Sequence, residues 1–228
     1  MKILYLIPAR AGSKGLPGKN TRILGNKPLI QHTIDFALHN LNVSDELCIS
    51  TNDEKVVEIA ADLGINVPFV RPNELASDTA SSYDVIMHAI NHYEQKNIYF
   101  DLVLLLQPTS PFRSKDDFAN LINNYDDGVE MVVSVKKAKE NPYFTLFEEN
   151  EFGFLGKSKI GNFERRQDCP EVFAFNGSMY LLKVAALKEK KISEFKKIKK
   201  VVMPEERSID IDTIADWILA EFYLNNNK

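Results

Sequence analysis

Ile3-Leu-Tyr-Leu-Ile-Pro-Ala-Arg-Ala-Gly-Ser-Lys-Gly-Leu-Pro-Gly-Lys-Asn20 stands at the head of the chain, and its two halves read differently. Ile3 to Ile7 is a short apolar run with the composition of a buried strand. The loop that follows therefore leaves a strand's carboxyl end, where open α/β sheets hold their ligands. Gly12, Gly15 and Gly18 permit positive φ and close backbone approach, so that successive N–H groups can converge on one concave site. Arg10, Lys14 and Lys19 add three cations with no acidic residue among them. A polyphosphate suits that combination, although a glycine-rich surface turn with solvated lysines has similar local composition. The spacing G-x-x-G-x-x-G is neither a P-loop, which ends in Gly-Lys-Ser/Thr, nor the G-x-G-x-x-G dinucleotide fingerprint.

Downstream, apolar runs and helical stripes alternate. Pro28 opens a helix through Ile30, Ile34, Ala37, Leu38 and Leu41, and Leu47–Ser50 reads as a second strand. Val56, Ile59, Ala60 and Leu63 form a stripe closed by Gly64, and Val67–Val70 reads as a third strand. A further stripe runs through Val85, Ile86, Ala89, Ile90 and Tyr93. Asp101–Gln107 is a strand apolar enough to be buried on both faces, and Met131–Val135 and Met179–Leu182 are others. The pattern predicts one α/β domain over residues 1–228, a Rossmann-like, mainly parallel sheet flanked by helices. Residues 136–168 break the alternation: they are polar, with interspersed aromatics and glycines, and too long for an idle loop. Lys188–Lys200 reads as a solvated helix face and loop, and Val201–Met203 as a short strand.

Composition narrows the function. With 28 basic against 32 acidic residues, a net charge of -4, the chain gives no reason to expect nucleic acid or a membrane surface as partner. No segment approaches the roughly 18 apolar residues of a membrane span and no signal-like leader is apparent, so a cytoplasmic location is expected. Cys48 and Cys169 have neither disulfide-framework nor zinc spacing. His88 and His92 share a helix face, but without Glu after His88 they read as ordinary surface histidines.

Three later stretches carry chemistry. Arg71-Pro-Asn-Glu-Leu-Ala-Ser-Asp-Thr-Ala-Ser-Ser82 holds more hydroxyls than the capping of the following helix requires. Gln107-Pro-Thr-Ser-Pro-Phe-Arg113 is a proline-stiffened loop at the sheet's carboxyl edge, ahead of a capping box formed by Ser114 and Asp117. Ser208-Ile-Asp-Ile-Asp-Thr213 places Asp210 and Asp212 at i and i+2 of an extended segment, on one side, near enough to share a cation or its waters. One of Asp212 and Thr213 would suffice to cap the C-terminal helix that carries Trp217, Ile218 and Phe222.

Taken together, these motifs resemble the acylneuraminate cytidylyltransferases, the CMP-sialic acid synthetases. Ala9, Arg10, Ser13, Lys14, Gly15, Lys19 and Asn20 stand where that family carries Ala-Arg-x-x-Ser-Lys-Gly and Lys-Asn, and the later motifs follow in the same order. The resemblance implies transfer of CMP from CTP to the anomeric hydroxyl of a nonulosonic acid, N-acetylneuraminic acid first, with legionaminic, pseudaminic or a related acid as the alternative. It implies nucleotide contacts from Arg10, Ser13, Lys14, Lys19, Asn20, Arg71 and Ser82, with Lys19, Arg10 and Asp212 central to catalysis. It also implies sugar contacts from Gln107, Arg166 and Tyr180, Mg²⁺ on Asp210 and Asp212, and a homodimer in which residues 136–168 are an exchanged arm. Ala174-Phe175 departs from the family's usual Arg-Pro, which bears on the identity of the sugar. A non-catalytic nucleotide-binding regulator on the same fold is the reading of a different class.

Overall fold

The computed structural model describes residues 1–12 and 15–226. The first strand, β1 (Ile3–Ala9), is buried along nearly its whole length and leads into the glycine-rich loop. A two-residue hairpin, β2 (Ile23–Leu24) and β3 (Lys27–Pro28), precedes α1 (Leu29–Asn40), whose cap is Pro28. Next come β4 (Glu46–Thr51) and α2 (Glu54–Asp62), capped by the Asp53 carboxylate and ended by Gly64 at φ 74°. The helix α3 (Ser82–Glu94) leads to β5 (Leu102–Leu106), α4 (Lys115–Asn123) and β6 (Met131–Lys137). A short hairpin, β7 (Phe147–Glu149) and β8 (Leu155–Lys157), projects before β9 (Phe173–Lys183) and α5 (Val184–Glu189). The chain closes with β10 (Ile198–Val202) and α6 (Ile214–Asn226).

Six strands form the central sheet in the order β10-β6-β9-β5-β1-β4. All pair in parallel except β9, which runs antiparallel between β5 and β6. The expected α/β architecture is present, with one antiparallel strand at its centre. One layer of core, including Tyr5, Ile7, Ile34 and Leu104, lies against α1, α2 and α4; the other, including Leu6, Ile86 and Leu105, lies against α3 and α5. Each fully buried Leu or Ile stabilises the fold by about 1.5–3 kcal/mol. A third cluster sets up the site: Trp217 and Ala220 of α6 pack with Ile209, Ile211, Leu24 and Leu29. It clamps the C-terminal Asp-x-Asp segment against the hairpin that ends the glycine-rich loop.

The sequence reading needs correction in three places. Val67–Val70 is not a strand; Val70 alone bridges to Thr51, because Pro68 has no N–H to give and Phe69 turns away from the sheet to pack on α3. Its ring lies 4.6 Å from that of His88 and 4.7 Å from that of His92, so the two histidines are half-buried rather than surface residues. Burial lowers both imidazole pKa values. Part of the lysine-rich run assigned to helix and loop is β10, an edge strand whose lysines face water. Cys48 and Cys169 are both free thiols, and no helix among the described residues is long and apolar enough to cross a membrane.

At the start of α4 the expected capping box is formed, with Ser114 and Asp117 bonding each other's backbone. Buried Asp117 also accepts from Arg207 Nε at 2.8 Å and Nη2 at 3.0 Å, tying the turn just before the Asp-x-Asp segment to the helix after the Gln107–Arg113 loop. Burial alone would raise the Asp117 carboxyl, but the Arg207 and Ser114 hydrogen bonds outweigh it and hold the pKa below the usual carboxylate range. The stabilisation is therefore complete above the ordinary aspartate pKa of about 3.9 and is lost as pH falls through the lower folded value. Arg207 is partly exposed, so Asp117→Asn should cost about 2 kcal/mol rather than the full penalty of breaking a buried pair, lowering Tm by about 4–8 °C at pH 7. The mutant's deficit should shrink below pH 4; thermal melts across pH 3–7 check both.

Candidate active site

The glycine-rich loop and the C-terminal segment meet at one point. Lys19 is only 8% exposed, and its ammonium donates to Asp212 Oδ1 at 2.6 Å and to the Ile211 carbonyl at 2.9 Å, joining positions 192 and 193 residues away. Gly15 is required by the same approach, since a Cβ there would collide with the Asp212 carbonyl oxygen. Gly12 and Gly18 take positive φ, 75° and 65°, and turn the loop back toward the sheet. Asn20 Nδ2 donates to the Arg10 carbonyl, a long contact at 3.5 Å.

Arg10 and Arg71 form a second cationic group. Arg10 donates to the Ala76 carbonyl at 3.0 Å and to the Asp78 carboxylate at 2.6 Å, bringing the segment before α3 over the loop. Arg71 is 4% exposed; its Nε donates to Ser50 Oγ at 3.0 Å and its Nη2 to the Ser50 carbonyl. Burial, reinforced by the Arg10 charge, lowers its pKa to about 10. It stays protonated at neutral pH. Helix capping falls to Ser81, which accepts from the Asp84 N–H at 3.1 Å, so the Ser82 hydroxyl is left for the site.

A cavity of about 390 Å³ opens above these groups at the carboxyl edge of the sheet, and Arg10, Lys19, Asn20, Arg71, Ser82, Gln107 and Asp212 all line it. Beside it a chamber of about 430 Å³ shares Ser82, Leu105 and Gln107 and is lined in addition by Tyr180. Asp210 lies behind the first cavity, among Gly177, Ser110 and Thr109. Arg166 is not brought to either: it sits in an exposed turn, and its guanidinium donates to the Lys139 carbonyl. Ser13 and Lys14 lie outside the described residues.

Neither aspartate caps α6. Thr213 and Asp216 do so reciprocally, Thr213 N donating to Asp216 Oδ2 at 2.7 Å and Asp216 N to Thr213 Oγ1 at 3.3 Å. The two carboxylates differ in setting: Asp212 is exposed and paired with Lys19, whereas Asp210 Oδ1 is buried without a hydrogen-bond partner. Burial raises the Asp210 pKa, with repulsion by Asp212 adding to it and a hydrogen bond from Thr109 opposing it. An orphaned carboxylate oxygen beside a second carboxylate is a donor set that fits a hard divalent cation completed by phosphate oxygens and water.

One residue was quoted in the sequence only as the end of a motif and turns out to hold the site together. Arg113 donates from Nη1 to Thr33 Oγ1 at 2.9 Å, from Nε to the Ser178 carbonyl at 3.0 Å, and from Nη2 to the Gln107 carbonyl. Burial lowers its pKa to about 9 while Asp210 opposes the shift. Alongside it, Asn176 Nδ2 donates to Ser208 Oγ at 3.0 Å and Ser134 Oγ to Asn176 Oδ1 at 2.7 Å, where the β6–β9 register shifts. Nothing in the sequence signals that this arginine is buried.

Because Asp210 resists ionisation in the fold, its charge opposes folding at every pH above its raised pKa. Asp210→Asn should raise Tm at pH 7 and leave Tm unchanged at pH 3. A melting temperature at pH 7 equal to or below that of the parent would contradict this assignment.

Similarity to known proteins agrees with this geometry. A family model described as cytidylyltransferase matches residues 4–220. Over 229 residues the chain is 34% identical to a CMP-N,N'-diacetyllegionaminic acid synthase of Legionella pneumophila, covering 100% of this chain and 98% of that one. It is 33% identical over 223 residues to an N-acylneuraminate cytidylyltransferase of Streptococcus agalactiae, covering 96% of this chain and 52% of the relative. In fold it is similar to a CMP:2-keto-3-deoxy-manno-octonic acid synthetase solved with CTP, with a TM-score of 0.72 at 18% identity over 100% of both chains. With its motifs gathered around one cavity and the family model spanning nearly its whole length, the chain belongs to the cytidylyltransferase family of nucleotidyltransferases.

Proposed function

We propose that the protein transfers CMP from CTP to the anomeric hydroxyl of a nonulosonic acid and releases pyrophosphate. The observation that carries this reading is the meeting of a cationic glycine-rich loop with Asp212 in one cavity, with Asp210 behind it and a second chamber beside it that shares Ser82 and Gln107. The sugar hydroxyl oxygen bonds to the α-phosphorus as the α–β bridging bond breaks, pyrophosphate leaves, and the hydroxyl proton passes to solvent. Arg10 and the loop backbone bind the outer phosphates, with Ser13 and Lys14 assigned there by family resemblance. Lys19 acts near the α-phosphate, where a fixed cation favours the developing charge over the ground state. Arg71 and Ser82 hold the nucleotide, and Gln107 and Tyr180 the acceptor.

Asp210 and Asp212 would hold Mg²⁺, which when bound supplies charge neutralisation on the phosphates and the leaving pyrophosphate. Lys19, which pairs with Asp212 here, would be the cation available to a phosphate oxygen once Asp212 served as a metal ligand. The reaction belongs in the cytoplasm, the compartment that supplies CTP.

A homodimer completes this reading. Phe152, Phe154, Leu155 and Ile160 of the 136–168 segment are 68–95% exposed, an apolar surface a monomer rarely leaves open. Arg166, on the same segment, would serve a partner's chamber rather than its own.

Pyrophosphate release from CTP should require both Mg²⁺ and a nonulosonic acid. CTP binding without release from any such acid would favour a non-catalytic regulator. Lys19→Ala should lower kcat about 100-fold or more while KM for CTP changes less than about fivefold. An effect confined to KM would reduce Lys19 to a binding residue. Light scattering should give twice the chain mass at assay concentrations, and a fully active monomer would remove the arm's role.

A further inference from the structure

The residues that line only the second chamber differ in character from those it shares with the nucleotide cavity. Ser82 and Gln107 mark the junction, where the reacting hydroxyl must meet the α-phosphate. The far wall is Phe175, Tyr180, Leu182 and Ile192. Phe175 stands where the resembling enzymes carry proline. It is 52% exposed, and its ring meets that of Tyr180 edge-on, with centroids 5.9 Å apart at 81°. Asp84, Lys191 and Ser193 also line the chamber, and Asp84 already accepts from the Ser81 hydroxyl at 2.7 Å.

We propose that Phe175 and Ile192 determine acceptor specificity, selecting acidic nine-carbon sugars that carry a second acylamino group and end in a methyl over those with a polyhydroxylated tail. This rests on the functional reading above and narrows its acceptor. Bound with its anomeric centre at the Gln107 junction, the acceptor points its distal substituents at the far wall. Methyl and acyl groups gain apolar burial there, whereas hydroxyls pressed against Phe175 and Ile192 exchange water for apolar contact. Apolar pockets discriminate only modestly, by about 10- to 200-fold for such differences, and that is the scale expected here.

The test compares kcat/KM for N,N'-diacetyllegionaminic acid and N-acetylneuraminic acid in the parent, Phe175→Ala and Ile192→Ala, with CTP saturating. The parent should prefer the doubly acylated sugar by at least about tenfold. In at least one variant the ratio should fall toward one through a rise in KM for that sugar, with KM for CTP within about twofold. Because the Phe175 ring is half-exposed and Ile192 lies in a surface turn, each variant is an independent check should the other fail to fold. A parent ratio near one, or a preference surviving in both variants, overturns the proposal while leaving cytidylyl transfer intact. Pyrophosphate release with neither sugar, CTP still binding, would instead overturn the functional reading.

Discussion

Everything at the carboxyl edge of the sheet depends on the contact between Lys19 and Asp212. A lysine so little exposed must be compensated, and its partners come from the other end of the chain. That requirement forces the loop after β1 and the segment before α6 together, with Gly15 needed for the backbones to meet and Trp217 packing the junction from behind. In the ligand-free protein the ammonium and carboxylate satisfy each other. Under the proposed function, a triphosphate with its cation would offer each a replacement, so that no buried charge need be left unpaired.

Behind this contact lies a layer that works against folding in order to hold the site. Asp210 keeps an unpartnered buried oxygen, and Arg113 is desolvated among carbonyls and a hydroxyl, with the Asp210 charge partly opposing that cost. Gly177, at φ 75°, lets the β9 backbone pass beside the Asp210 carboxylate, where a Cβ would lie 3.1 Å from Oδ2. Hydrophobic packing on both sheet faces supports these costs. The Asp117–Arg207 pair fastens the segment that would otherwise bear the repulsion of its own two aspartates.

Local pattern made the fold legible where it fixed the outcome. β1, β4, β5 and β6, the stripes of α1 to α3 and the α4 capping box are visible in apolar period and cap residues. The reading failed where long-range pairing decided. Val67–Val70 has strand composition, but Pro68 and the pull of α3 on Phe69 detach it. The antiparallel course of β9 is a matter of topology, and the lysines of β10 hide an edge strand. In the site, the residues that line the main cavity came from recognised motifs. Arg113 escaped notice because burial of a cation is set by its neighbours, and the contrast between Asp210 and Asp212 because i and i+2 spacing says nothing of depth. Arg166, assigned by resemblance, sits in an exposed turn that the chain's own fold brings to neither cavity.

The central claim is that Lys19 and Asp212 form one exchangeable unit that nucleotide and metal take apart. Calorimetric affinity for CTP with Mg²⁺ in the parent, Lys19→Met, Asp212→Asn and the double variant tests it directly. Each single variant removes one ligand contact but also frees the other group from its pairing, so the account predicts a double-variant loss larger than the sum of the two by about 1 kcal/mol. Losses that add within about 0.3 kcal/mol would contradict it, leaving two independent contacts that happen to touch.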